Sequence, residues 1–338
     1  MDNVVIYFEW VGMVLYDRFG RPVRGARISL NSSRLCNFGC VFCHKEGISG
    51  NDRDLMTAEE IGRVVRILYK FGVRYVKLTG GEPLLRSDII DILDNIKNAG
   101  VEEISMTTNG TRLAELAGDL REHGLDRVNI SIHSLRRGRY LLITGVDKRD
   151  YTLKAIEAAV DAGLKPVKLN MVLLRGLNVD EVDDLIEYSY SLGGYPKTVV
   201  QFIELLNVYT PFYKAYHYDL NIVEDELKKR AVKVRYRKLH NRPVYILENG
   251  VAVEFVKPMH NHAFCMGNDR IRITYDGKFK PCLMRDDNHV DFLGLMRSGA
   301  SDKEIAQAYF RAILNREPFY KESMEEPKGM PVTGTCIV

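Results

Sequence analysis

From residue 26 to 206 the chain repeats one pattern, a short run rich in β-branched and aromatic residues followed by a longer stretch with apolar residues at helical spacing. Such a repeat is built from β-α units, because parallel strands need a crossover connection between them. The expected strands are Ala26 to Asn31, Tyr75 to Thr79, Glu103 to Thr107, Arg127 to Ile132, Val167 to Leu174 and Thr198 to Leu205. The expected helices are Thr57 to Tyr69, Asp88 to Ala99, Leu113 to His123, Thr152 to Ala162 and Asp180 to Leu192. Thr57 with Glu60 three positions on is a capping-box start. Six strands fall short of the eight that close a TIM barrel. The fold class expected is therefore α/β, an incomplete (β/α)6 TIM-like barrel.

After Leu206 the pattern breaks into a polar, Tyr-rich connector, then β-rich pieces from Val232 to Val256 and a helix from about Ser301 to Leu314. The expected division is an N-terminal extension over 1–25, the partial barrel over 26–206 and a C-terminal region over 207–338. In parallel β-α folds chemistry gathers at the C-terminal ends of strands. The polar and Gly-rich clusters sit there: Asn31 onward, Gly80-Gly81-Glu82-Pro83, Thr107-Thr108-Asn109-Gly110 and Ser131 to Ser134.

Of 338 residues, 48 are basic and 45 acidic, and a net charge of +3 gives no reason to expect a nucleic-acid or membrane partner. No apolar run approaches the roughly 18 residues of a spanning helix. Met1-Asp2-Asn3 lacks the basic start of a secretory signal. A cytoplasmic location is expected, where cysteines serve as thiols, metal ligands or catalysts more than as disulfides. Cys36, Cys40 and Cys43 place three thiols on one tight loop. Three cysteines suit a 4Fe-4S cube with one open iron, and the same spacing with His44 as fourth ligand suits a zinc knuckle. In Gly80-Gly81-Glu82-Pro83 the glycines permit close backbone approach to a ligand, and Glu82 can accept from an ammonium group.

The CxxxCxxC loop after the first strand, with GGEP after the second, resembles the radical S-adenosylmethionine (SAM) superfamily. That resemblance implies a 4Fe-4S cluster on Cys36, Cys40 and Cys43, reductive cleavage of SAM and a 5′-deoxyadenosyl radical that abstracts hydrogen. Leu78 to Arg86, Thr107 to Gly110, Ile143-Thr144-Gly145, Lys168-Leu169-Asn170, Phe202 to Leu205, Val256 to Asn261, Phe264-Cys265, Arg270 to Thr274 and Pro281-Cys282-Leu283 narrow it. These segments, in order, are similar to the GTP 3′,8-cyclase family, which performs the first step of molybdenum-cofactor biosynthesis. The implied reaction abstracts the C3′ hydrogen of GTP and cyclises C3′ onto C8, with an external one-electron reductant as partner.

By the same resemblance Phe42, Gly80, Gly81, Glu82, Ser131 and Leu206 contact SAM, while Arg27, Lys77, Thr107, Lys168, Arg270 and Arg272 contact GTP. The C-terminal region is then an auxiliary-cluster region, but it departs from the family. Asn268 stands where the family has the middle cysteine of the second cluster, and the tail has Gly334-Thr335-Cys336 in place of a Gly-Gly end. The expected second ligand set is Cys265, Cys282 and Cys336, with Asn268 the alternative to Cys336. The competing functional reading is a radical SAM paralogue acting on another nucleotide or a peptide, its second cluster vestigial.

Overall fold

The computed structural model describes residues 13–48, 55–237 and 239–320. Its centre is the expected parallel array: β1 (Gly25–Ser29), β2 (Tyr75–Thr79), β3 (Glu103–Thr108), β4 (Arg127–Ser131), β5 (Val167–Val172) and β6 (Thr198–Ile203), side by side in that order. Every residue of β5 is buried, as expected of a central parallel strand covered on both faces. The helices that cover the strands are α1 (Ala58–Lys70), α2 (Ile89–Asn98), α3 (Leu113–Glu122), α4 (Arg137–Thr144), α5 (Arg149–Asp161) and α6 (Val182–Ser191). α1 starts on a reciprocal capping box, Glu60 N donating to Thr57 Oγ1 at 3.2 Å and Thr57 N to Glu60 Oε2 at 2.9 Å. It turns Ile61, Val64, Val65 and Leu68 into the core.

The chain then forms α7 (Thr210–Tyr216), α8 (Leu220–Lys229) and three strands, β7 (Ala231–Tyr236), β8 (Pro243–Leu247) and β9 (Ala252–Val256). β9 pairs parallel with β6, and β8 and β7 continue outward antiparallel. After α9 (His262–Met266), β10 (Arg270–Ile273) returns to pair parallel with β1, followed outward by β11 (Lys278–Lys280) and β12 (Val290–Asp291). α10 (Leu293–Arg297) and α11 (Asp302–Leu314) complete the described chain. One twelve-stranded sheet therefore crosses residue 206 at both edges, and the six parallel strands expected from sequence are flanked by a seventh and an eighth.

The C-terminal region is fastened to the start of the barrel by a buried charge cluster. Arg316, fully buried, lies 3.2 Å from the Asp17 carboxylate, which also takes Arg21 at 2.8 Å, and donates to the Asn268 carbonyl at 2.8 Å. Removing one member of a buried ionic cluster costs about 3 kcal/mol or more, because its partners stay buried and uncompensated. Arg316→Met is accordingly expected to lower the urea midpoint of unfolding by an amount equivalent to about 3 kcal/mol at unchanged slope. A midpoint equal to wild type would remove the cluster from the list of stabilising contacts.

Candidate active site

The loop after β1 carries Cys36, Cys40 and Cys43 and is pinned from both sides. Gly39 N donates to the Thr144 carbonyl at 2.9 Å and Val41 N to the Ile143 carbonyl at 3.0 Å, both at the end of α4. On the other side Asn109 Nδ2 donates to Asn37 Oδ1 at 2.7 Å. Burial pushes all three thiols up, Cys40 to about 12, and the neighbouring sulfurs of Cys43 and Cys36 push Cys40 further. Thiolates so placed need positive charge among them, which a bound iron core would supply. Among the described residues no three His, Cys, Asp or Glu side chains gather as one ion requires. His44 instead lines the cavity described below, its buried Nδ1 without a hydrogen-bond partner. Three thiols on one loop fit a cube that takes one thiolate per iron.

The Gly-Gly pair is dictated by the chain's own backbone. A Cβ on Gly80, whose φ is +127°, would lie 2.6 Å from the Asn31 carbonyl oxygen, and one on Gly81 would lie 2.2 Å from that of Ser32. Glu82 is fully engaged within the protein: Oε1 accepts from Thr108 Oγ1 at 2.6 Å and Leu84 N at 3.1 Å, and Oε2 from Asn109 N at 2.7 Å. Burial, only partly offset by these donors, raises its carboxyl above the usual range. These three residues brace the cysteine loop, and like Cys36, Cys40 and Cys43 they stand outside the set of residues that line the cavity.

That cavity, about 360 Å³, lies inside the sheet between the cysteine loop and the C-terminal region. All six GTP candidates, Arg27, Lys77, Thr107, Lys168, Arg270 and Arg272, line it, together with Phe42, Ser131 and Leu206 of the SAM set. Cys265, Cys282 and Asn268 line it as well. Phe42 packs on a small apolar cluster of Ile143, Val172, Leu174 and Leu205, and edge-on against His133 at 4.6 Å. His133 was not foreseen. Burial pushes its imidazole down to about 3, and Val172 N donates to Nδ1 at 3.2 Å, so the ring is neutral with its proton on Nε2.

Strand register explains the electrostatics. Arg272 lies opposite Arg27, Arg27 opposite Lys77, Lys77 opposite Ser105, and Ser105 opposite Arg127, so one rung carries four cations. Unit charges about 5 Å apart at an effective dielectric of about 20 repel by about 3 kcal/mol. Carboxylates relieve both ends: Glu46 accepts from Arg27 at 2.8 Å and Arg272 at 2.7 Å, and Glu103 accepts from Arg127 at 2.6 Å. Burial alone would raise the Glu46 carboxyl, and the two guanidiniums overcome it and hold it well below the carboxylate range. Lys77 has no ion-pair partner among the described residues, and burial followed by Arg27, Arg127, Arg270 and Arg237 drives its ammonium well below the lysine range. Nine Arg and Lys side chains line the cavity against three Glu, an arrangement that calls for a polyanion.

The second pair of thiols sits at the far end of this space. Cys265 is on α9 and Cys282 follows β11, and the Tyr320 phenol is raised by burial and further by both sulfurs, against a hydrogen bond from the His260 backbone. Asn268 stands beside them, its Oδ1 accepting from Arg270 N at 3.1 Å. Cys336 lies outside the described residues. Arg127, Arg237 and Arg242, missed from sequence, also face the cavity. For Arg127 a signal existed, since Arg127, Asn129 and Ser131 alternate as polar residues on a buried strand.

Comparison with known proteins agrees with this geometry. The Radical SAM superfamily profile matches residues 30–189, and the Molybdenum Cofactor Synthesis C profile matches 198–322. A Thermococcus kodakarensis protein named "Probable GTP 3′,8-cyclase" is 48% identical, covering 91% of this chain and 100% of that protein. Its namesake from Thermoplasma volcanium is 46% identical over 93% of this chain and 95% of the relative. Streptococcus suis SuiB bound to precursor peptide SuiA shares the fold at TM-score 0.60 and 17% identity, over 80% of this chain and 61% of that one. The chain thus spans about three fifths of SuiB's length. Native anSMEcpe with bound AdoMet superposes at TM-score 0.56 and 17% identity, over 79% of this chain and 77% of that chain.

The bracing role of the glycines has a direct test. Gly81→Ala places a methyl group 2.2 Å from the Ser32 carbonyl oxygen, and the cysteine loop has to move. Reconstituted protein is expected to hold about four fewer irons per chain than wild type, with far-UV circular dichroism unchanged. Full iron incorporation in this variant would show that the loop tolerates the displacement.

Proposed function

The chain belongs to the GTP 3′,8-cyclase family of the radical SAM superfamily, and from that premise we propose that it converts GTP to the 3′,8-cyclised precursor of molybdopterin. The observation that carries the substrate is the excess of cations around the cavity, nine Arg and Lys against three Glu, with Lys77 lacking an acid partner among the described residues, a seat for a polyphosphate. In this reading Cys36, Cys40 and Cys43 hold a 4Fe-4S cluster, and Phe42, Gly80, Gly81, Glu82, Ser131 and Leu206 contact SAM, with Phe42, Ser131 and Leu206 lining the cavity. When bound and reduced, such a cluster would supply the electron for SAM cleavage and so the chemistry that removes the C3′ hydrogen of GTP.

The protein's contribution is placement and exclusion of water. Arg27, Lys77, Lys168, Arg270 and Arg272 contact GTP, Thr107 faces the nucleotide, and Arg27 and Arg272 are held in place through Glu46. Gly80, Gly81 and Glu82 also brace the cysteine loop. The SAM-handling unit is taken as 26–206 and the substrate-handling region as 207–338, preceded by the extension 1–25. For the second cluster Cys265 and Cys282 are the proposed ligands, with Cys336 as the third and Asn268 as the alternative. An external one-electron reductant is required, and no helix among the described residues is long and apolar enough to cross a membrane.

The test is anaerobic reconstitution with iron and sulfide, then SAM, reductant and 3′-deuterated GTP. Deuterium is expected in the deoxyadenosine, and Cys40→Ala is expected to abolish deoxyadenosine formation. SAM cleavage at the wild-type rate in that variant would overturn the cluster assignment. Deoxyadenosine formed without deuterium, and at a rate indifferent to GTP, would favour the paralogue with another substrate.

A further inference from the structure

We propose that Arg237 and Arg242, at the two ends of the turn between β7 and β8, seat the distal phosphates of the nucleotide. The proposal rests on the GTP reading and adds to it residues outside the barrel strands and β10.

Arg242 is 8% exposed and faces the cavity, yet its Nε and Nη1 are buried without any hydrogen-bond partner. Its ion-pair partner is Glu254, at 3.8 Å. Glu254 is fully buried and already engaged, accepting from Lys168, from Gln201 Nε2 at 2.6 Å and from Arg237 Nη1 at 3.2 Å. One carboxylate thus faces Lys168, Arg237 and Arg242, and the cations at this end exceed the anions. At the opposite end Arg27 and Arg272 share Glu46, and between the two ends stands Lys77, with no acid partner among the described residues. A ligand that carries several negative charges in a line completes this arrangement. Planar guanidinium N–H groups pair with phosphate oxygens more fully than with a ribose or a base edge.

Contacts of the turn's described residues fix where the arginines stand. Arg237 N donates to the Arg242 carbonyl at 2.9 Å, closing it. His240 stacks on Phe264 with ring centroids 3.8 Å apart and planes 6° from parallel, and His240 N donates to the Gly267 carbonyl at 2.7 Å. A Cβ on Gly267 would lie 2.7 Å from the His240 Cα, so only glycine admits the turn there. The segment bearing Cys265 and Asn268 therefore positions the arginines, which reach the cavity already oriented.

The experiment uses cluster-loaded, SAM-bound protein under anaerobic conditions. Binding of GTP, GDP, GMP and inorganic tripolyphosphate is measured for wild type, Arg242→Gln and Arg237→Gln, with circular dichroism to confirm folding. Wild type is expected to bind GTP more tightly than GDP, and GDP more tightly than GMP. Either variant is expected to lose about thirtyfold for GTP and for tripolyphosphate, the size of a charge-assisted pair, with GMP affinity nearly unchanged. An equal loss for all three nucleotides, a folding defect alone, or no loss at all would overturn the proposal. If tripolyphosphate binding falls in the variants but wild type binds ATP as tightly as GTP, the phosphate seat stands and the GTP reading fails. If wild type selects GTP and the variants match it, the GTP reading stands and the seat fails.

Discussion

A single buried carboxylate organises the cysteine end of the molecule. Glu82 accepts from Thr108, Asn109 and Leu84, and its own carbonyl takes the Asn31 side chain at 2.8 Å, so the loops after β1, β2 and β3 converge on one residue. Glycine at 80 and 81 is what lets that residue come so close to the segment 31–35. The motif that reads from sequence as a ligand contact is, in the folded chain, also a clamp on the cysteine loop. A cluster site needs this kind of support, because thiols that repel one another as thiolates have to be held in place before iron arrives.

The cation-rich wall of the cavity shows the reverse arrangement. Cross-strand pairs of like charge destabilise a sheet, and here Arg272, Arg27, Lys77 and Arg127 occupy one rung with small Ser105 between the last two. Glu46 offsets one end through Arg27 and Arg272 and Glu103 the other through Arg127, which leaves Lys77 in the middle without an acid partner among the described residues. Stability given up in the empty site is regained when an anion enters, which couples substrate binding to the rigidity of the whole array.

Much of this was legible in the sequence. Tyr75–Thr79 and the capping-box helix after Thr57 have the bounds that periodicity and capping chemistry indicate, because local signals decide them. The six GTP candidates share one cavity because alternate residues on parallel strands point to one face. What escaped depends on partners distant in sequence. Arg270–Ile273 reads as a strand, but nothing local says that it lies beside β1. α4 contains Gly138 and has only a weak apolar stripe, and its place is settled by the cysteine loop packed against its end. Arg242 reads as one more turn arginine until His240 docks on Phe264 and Gly267.

The sheet's order also bears on how the chain is made. During synthesis β1 emerges early, while β10, which covers its open edge, follows after most of the barrel, with Gly25 finally paired to Arg270. β6 likewise waits for β9. A nascent chain lacking these strands presents two unpaired parallel edges, templates for pairing between ribosome-bound neighbours. Non-local closure of this kind is slow to form, so the last strands to emerge act as guards against aggregation as well as walls of the site.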